Sequence, residues 1–197
     1  VPEDVKQAAR DAAAAESEDG YKITLHFPSY FPVMQYSTNR ALRETLYRAY
    51  VTRASEFGLH ERDNGPLMRE LLALRQEEAQ LLGYPSYADV SLVPKMAQSP
   101  AQVMGFLRDL AQRSRAQAEQ DLAELQTFSR DQLGLAKLEA WDLPFASEKL
   151  KEARYAFSEQ EVKLYFTEPK VLAGLFRIVE TLFDVSIRPD VAPAWHE

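Results

Sequence analysis

The sequence predicts a mainly α chain, a multi-helix segment carrying one short β-strand or hairpin. Three observations predict it. Apolar residues recur every three or four positions through most of the 197 residues. Only 7 residues are glycine, about half the usual usage of roughly 7%, so tight turns are few. And only one stretch, residues 21–27, alternates with period two over its whole length.

That stretch places Tyr21, Ile23, Leu25 and Phe27 on one face and Lys22, Thr24 and His26 on the other, and it stops at Pro28. Short runs near residues 137–141 and 185–188 are the candidate partner strands, with a partner outside this chain as the other option. Asn39 caps a helix expected over residues 40–57, with Leu42, Leu46, Ala49, Tyr50 and Phe57 on one stripe and Gly58 as the stop. Asp63 or Asn64 opens the next, with Leu67, Leu71, Leu74 and Leu82 expected inward and Gly83 and Pro85 closing it. Ser99 and Pro100 start a helix reaching about Arg130, roughly 45 Å at 1.5 Å per residue. Its seam of Leu107, Ala111, Ser114, Ala118, Leu122 and Leu125 reads as core packing, with small residues where another helix approaches closely.

Asp142 and Pro144 begin a helix toward Tyr155, and Ser158 with Glu161 has the spacing of a capping box. Thr167 and Pro169 begin the last helix. Its two apolar seams, Val171-Leu175-Ile178-Leu182 and Leu172-Phe176-Val179-Phe183, need cover on two sides, and the chain is expected to supply only one. No period near 34 to 47 residues recurs, which disfavours a helical solenoid.

Composition excludes whole classes of function. The net charge is −7, and residues 1–20 alone carry −4 of it; that run reads as the acidic tail of a solvated helix, or linker, ending at Gly20. An acidic chain with no basic patch offers nothing to nucleic acid, and no apolar run approaches the 18 residues of a membrane span. The absence of cysteine removes thiol nucleophiles, disulfides and cysteine zinc sites, and fits a reducing, cytoplasmic compartment. The chain opens on Val1 rather than methionine, which suggests a piece of something longer.

Catalytic chemistry is mostly absent. A zinc-hydrolase helix needs two histidines one turn apart with a glutamate beside the first, yet His60-Glu61 is followed by Asn64 where the second histidine belongs. His196-Glu197 runs off the end, and His26 sits on the polar face of the expected strand. No Gly-x-Ser-x-Gly elbow and no glycine-rich phosphate loop occurs. No catalytic or metal-binding residue is assigned.

Specific strings say more than the periods do. The run Leu25-His-Phe-Pro-Ser-Tyr-Phe-Pro-Val-Met34 resembles the oligopeptidase A and thimet oligopeptidase family of zinc metallopeptidases. So, in the same order, do Asn39-Arg-Ala-Leu-Arg43, Tyr47-Arg-Ala-Tyr50, Thr52-Arg-Ala-Ser55, Leu72-Ala-Leu-Arg75, Ala79-Gln-Leu-Leu-Gly83, Lys95-Met-Ala97, Ala140-Trp-Asp142, Ser147-Glu-Lys-Leu150, Tyr165-Phe166, Gly174-Leu-Phe176 and Trp195-His196. The resemblance is collinear over nearly the whole chain and weakest over residues 1–20.

The resemblance implies a helical peptidase with a deep channel, cleaving short peptides with one zinc held by a His-Glu-x-x-His helix. That motif is expected beyond the end of this sequence, so residues 1–197 form a single helical part of the peptidase domain and are inactive alone. The implied partners are short peptides and the catalytic C-terminal half of the same protein, with self-association of the segment as another outcome. Trp141, Phe145, Arg154 and Tyr155 are the candidate channel-side residues; ordinary packing and helix-surface charge are the bland account of the same four. Phe145-Ala146 stands where the family has Tyr-Tyr, which implies a different peptide preference if that pair lines the channel. The alternative is a stand-alone helical module, derived from such an enzyme, that binds peptides or proteins without hydrolysis.

Overall fold

Side-chain oxygens start several helices by accepting backbone N–H groups that the first turn leaves free. In the computed structural model, which describes residues 1–156 and 159–192, Asn39 Oδ1 accepts from Leu42 N at 3.1 Å and begins α3, Arg40–Val51. It follows α1, Glu3–Ala14, and α2, Phe27–Tyr36. Asp63 Oδ1 accepts from Gly65 N at 2.8 Å, at the head of α4, Gly65–Leu81. Ser86 and Ser99 cap α5, Tyr87–Leu92, and α6, Pro100–Leu133, in the same way. Gly134, at φ +66°, ends α6 in the left-handed conformation that glycine adopts without steric cost. A 3-10 turn over Ala140–Asp142 leads into α7, Leu143–Tyr155. The chain divides into two units, Val1–Leu150 and Lys151–Glu197, and the second holds α8, Glu159–Lys163, and α9, Glu168–Phe183.

The core of the first unit lies between α2 and α3. Tyr30, Val33, Met34 and Leu46 are buried, and Ile23, Leu25, Phe31, Leu42, Tyr47, Tyr50 and Trp141 pack around them. The Tyr30 and Tyr50 rings stack with centroids 4.4 Å apart. Burial pushes the Tyr30 hydroxyl above its ordinary pKa, so this ring stays neutral. The acidic N-terminal run is helical only to Ala14; Ala13 is buried, and Arg10 donates to the Tyr21 hydroxyl at 2.8 Å.

The expected strand over residues 21–27 is not formed, and the described residues contain no strand. A strand needs a ladder partner, and both nominated partners do something else: residues 140–142 make the 3-10 turn, and 185–188 run irregularly after α9. Pro28, with φ already suited to a first helical turn, pulls Phe27 into α2 instead. Ile23 and Leu25 still reach the core, whereas Tyr21 and Phe27 are exposed.

α3 also stops earlier than its apolar stripe suggests. The chain turns after Val51, with the Ser55 hydroxyl donating to Thr52 O at 2.8 Å and Ala54 at φ +55°. A Cβ at Gly58 would stand 2.6 Å from Thr52 O, so the close approach itself demands glycine there. Phe57, beyond the helix end, is 79% exposed.

Three other stripes read as core are not buried in this chain. Leu67, Leu71, Leu74 and Leu82 of the α4 region are all exposed, and Ala79 is the buried residue of that helix. In α6, burial is confined to Leu125 and Ser129, and the small central residues Ala111, Ser114 and Ala118 face solvent. In α9 no residue is buried, and every residue of both seams is exposed except the half-buried Val179, so neither seam is covered as expected. Periodicity reports that a face is apolar; it does not say where the covering surface resides. The capping box proposed at Ser158 lies outside the described residues.

Asn39 offers a clean test of the α3 start. Asn39→Ala removes the acceptor for Leu42 N and is expected to lower stability by about 1 kcal/mol. Urea unfolding followed by circular dichroism checks it; a midpoint equal to that of the unaltered chain would show the cap contributes nothing.

Candidate functional site

Beside its apolar core the first unit also buries charged and polar side chains, among them Arg43, Asp142 and Glu148. Buried charges persist only when paired and hydrogen-bonded, so the interior near α3 and α7 must be organised around them. Asp142 is fully buried. Its Oδ1 accepts from Arg43 Nη2 at 2.7 Å, and its Oδ2 accepts from Arg40 Nη2 at 2.7 Å. Arg40 Nε–H is shared between both oxygens at 3.1 Å, and the Glu139 N–H reaches Oδ2 at 3.1 Å. Reciprocally, the Glu139 side chain accepts from the Asp142 backbone, forming a capping box that holds the 3-10 turn.

Arg43 is 1% exposed, and each edge of its guanidinium is used. Nη1 donates to Ser37 O at 2.6 Å, Nε donates to Trp141 O at 3.2 Å, and the planar group lies 4.2 Å over the Phe145 ring. The one cation therefore touches the chain before α3, the 3-10 turn and the first turn of α7. A second long-range tie runs parallel to it, where Gln35 Nε2 donates to Glu148 Oε2 at 2.7 Å.

Burial pushes the Asp142 carboxyl up, but hydrogen bonds from Arg40, Arg43 and the Glu139 N–H outweigh it and hold the group below its ordinary 3.8. The same bond raises the Arg40 guanidinium further above its ordinary value. Asp142 is thus a fixed anion whose lone pairs are already committed. It is a structural acceptor, not a base or a metal ligand.

The four nominated residues divide into two pairs. Trp141 and Phe145 come together on the Arg43–Asp142 group. The Trp141 ring meets Tyr47 with centroids 6.0 Å apart and the Arg48 guanidinium at 5.0 Å, while its Nε1 is buried with no acceptor among the described residues. Phe145 is 8% exposed beneath Arg43. Arg154 and Tyr155 belong to the second unit, where the Arg154 guanidinium stands 5.9 Å from the 64%-exposed Tyr155 ring. The sequence reading missed Arg40, Arg43 and Asp142 as a unit. A signal was present: Arg43 lies between Leu42 and Leu46, inside an apolar stripe, where only a buried acid makes an arginine tolerable.

Among the described residues no group of three or more His, Asp or Glu side chains is placed to hold a metal. His26 precedes α2 and His60 opens a 3-10 turn, both exposed, and His196 lies outside the described residues. The described residues therefore do not fit a zinc ion, and no hydrolytic step is assigned to them.

Residues 33–197 match the peptidase family M3. The chain belongs to that family. It is 46% identical over 200 residues to oligopeptidase A of Salmonella typhimurium and to that of Escherichia coli, alignments that take in the whole chain but 29% of each relative. The organellar oligopeptidase A of Arabidopsis thaliana is 44% identical over 188 residues, covering 92% of this chain and 23% of that protein. This M3 chain thus spans less than a third of the length of the curated relatives it matches. No helix among its described residues is long and apolar enough to cross a membrane.

Removing one partner from the buried group leaves unmatched charge, so Asp142→Asn is expected to cost about 3 kcal/mol at neutral pH. Because the folded-state carboxyl lies below its unfolded value, its contribution is complete above about 3.8 and disappears as pH falls through the depressed folded value. Urea midpoints measured between neutral and strongly acid pH should therefore fall less steeply at the acid end in the Asn variant. Parallel acid slopes for the two proteins would show that Asp142 is not a linked group.

Proposed function

We propose that this chain is a channel-wall segment of a zinc-dependent oligopeptidase, a metalloendopeptidase that hydrolyses short peptides. The observation that carries the reading is identity near one half, over the whole chain, to proteins named oligopeptidase A, together with the M3 match from residue 33 onward. On this reading residues 1–197 are one helical part of the peptidase domain, with residues 1–20 as its acidic end. The zinc and its ligands, with the water they activate, come from the catalytic half of the same protein.

The role left to this chain is to bind and orient. Trp141 and Phe145 in the first unit, and Arg154 and Tyr155 in the second, are its candidate channel-side residues. A cytoplasmic location belongs to the same reading and is supported by the cysteine-free composition. The open seams of α9 support docking of the catalytic half through a surface that includes Phe176, Val179 and Phe183.

Two experiments test this. The chain alone, dialysed against zinc-free buffer, is expected to hold substoichiometric metal and to leave a quenched peptide uncut. Tight one-to-one zinc, or turnover resistant to chelators, would overturn the assignment. Co-expression with the remainder of the parent protein as a separate polypeptide should give a peptidase complex. Val179→Glu and Phe183→Glu should weaken that complex by at least about tenfold while leaving the melting curve of the chain nearly unchanged. Variants that bind normally, or that unfold the chain, would reject α9 as the docking surface.

A further inference from the structure

We infer that Arg43 is a positioning residue for peptide binding, acting through Trp141 without touching the peptide itself. The inference rests on the reading that Trp141 faces the peptide channel. Its starting point is the unusual set of groups that one buried guanidinium holds. Arg43 Nε donates to the Trp141 carbonyl, Nη2 donates to the carboxylate of the next residue, Asp142, and the plane of the group covers the ring of Phe145. Nη1 anchors the same cation to Ser37 O, just before α3.

The Trp141 backbone is thereby fixed on both sides of its Cα: by the Arg43 bond to its own carbonyl, and by the capping box in which Glu139 and Asp142 clasp each other. Its indole cannot be fixed by its own polar atom, since Nε1 has no acceptor among the described residues. The residue packs on the buried cluster between α2 and α3, and its ring meets the Tyr47 ring and the Arg48 guanidinium. The two groups that meet the ring both lie on α3, the helix that carries Arg43. Ring orientation is therefore set by the register of α3 against the 3-10 turn, and Arg43 is the buried cation that locks that register. Arg40 is a poorer lock, because its guanidinium is nearly half exposed to water and meets the Lys137 carbonyl instead of Trp141.

Lysine at position 43 would keep the charge but not the planar fork, so it could not serve Ser37, Trp141 and Asp142 at once. In the full-length peptidase, Trp141→Phe is expected to raise KM for short peptides about fivefold to tenfold with kcat within twofold, the pattern of a lost binding contact. Arg43→Lys should do the same. The double variant should be no worse than Trp141→Phe alone, because Arg43 acts through the indole. In the 197-residue chain, which has two tryptophans, a Trp195→Phe background leaves Trp141 as the reporter, and Arg43→Lys should shift its emission to the red.

The outcomes separate cleanly. If Trp141→Phe leaves KM unchanged, the channel reading of Trp141 fails and this inference falls with it. If Trp141→Phe raises KM while Arg43→Lys leaves it alone, or the two effects multiply in the double variant, the channel reading stands and the positioning role is overturned. Should Arg43→Lys fail to fold, Phe145→Leu replaces it, removing the aromatic face beneath the guanidinium while keeping an apolar neighbour. A smaller KM rise that vanishes in the Trp141→Phe background supports the inference. An unchanged KM, or one that multiplies with Trp141→Phe, rejects it.

Discussion

The carboxylate of Asp142, held between Arg40 and Arg43, determines how the first unit is put together. Asp142 lies about a hundred residues from the two arginines, so their pairing closes a long loop, which helix propensity alone could not do. Once closed, the pair fixes the start of α7 against α3. With it come the Trp141 ring over Tyr47, the Phe145 ring under Arg43, and the second tie between Gln35 and Glu148. An apolar pair of equal volume could fill the same space. It would not dictate one register, because hydrophobic contact has no direction, whereas a guanidinium meets a carboxylate in few geometries.

This distribution of buried groups also explains what the chain leaves uncovered. Its apolar core is small and sits between α2 and α3, while α4, α6 and α9 turn leucines, phenylalanines and methionines outward. Exposed apolar area on that scale is uncommon on a self-sufficient surface. Its presence on three separate helices agrees with a chain that matches less than a third of its relatives' length.

Helix starts were legible in the sequence at Asn39 and Ser99, because a cap is a local interaction, whereas the equally capped start of α5 at Ser86 was missed. The strand over residues 21–27 was misread because alternation is also local, whereas strand formation requires a partner elsewhere. The early end of α3 goes with the turn after Val51, where Ala54 is left-handed and Ser55 bonds Thr52 O, which no periodicity reveals. Inward-facing leucines in α4 and α6 were misassigned because amphipathicity gives a direction without a destination. At the candidate site, the sequence nominates Trp141 and Phe145 as channel-side residues, and in the fold both lie against the Arg43–Asp142 group. That the acid's partners are Arg40 and Arg43 required the fold, since nothing in the spacing from residue 43 to residue 142 announces contact.

The shared carboxylate has a consequence for how this part of the sequence can drift. Losing either arginine alone leaves Asp142 under-compensated, and losing Asp142 alone strands a guanidinium that is 1% exposed. An exchange of arginine for lysine keeps the charge but abandons the Trp141 and Ser37 carbonyls. Intermediate genotypes are therefore worse than either endpoint, and an apolar substitute is reachable only by several changes at once. Positions 40, 43 and 142, separated in the gene, meet on one carboxylate in the folded chain.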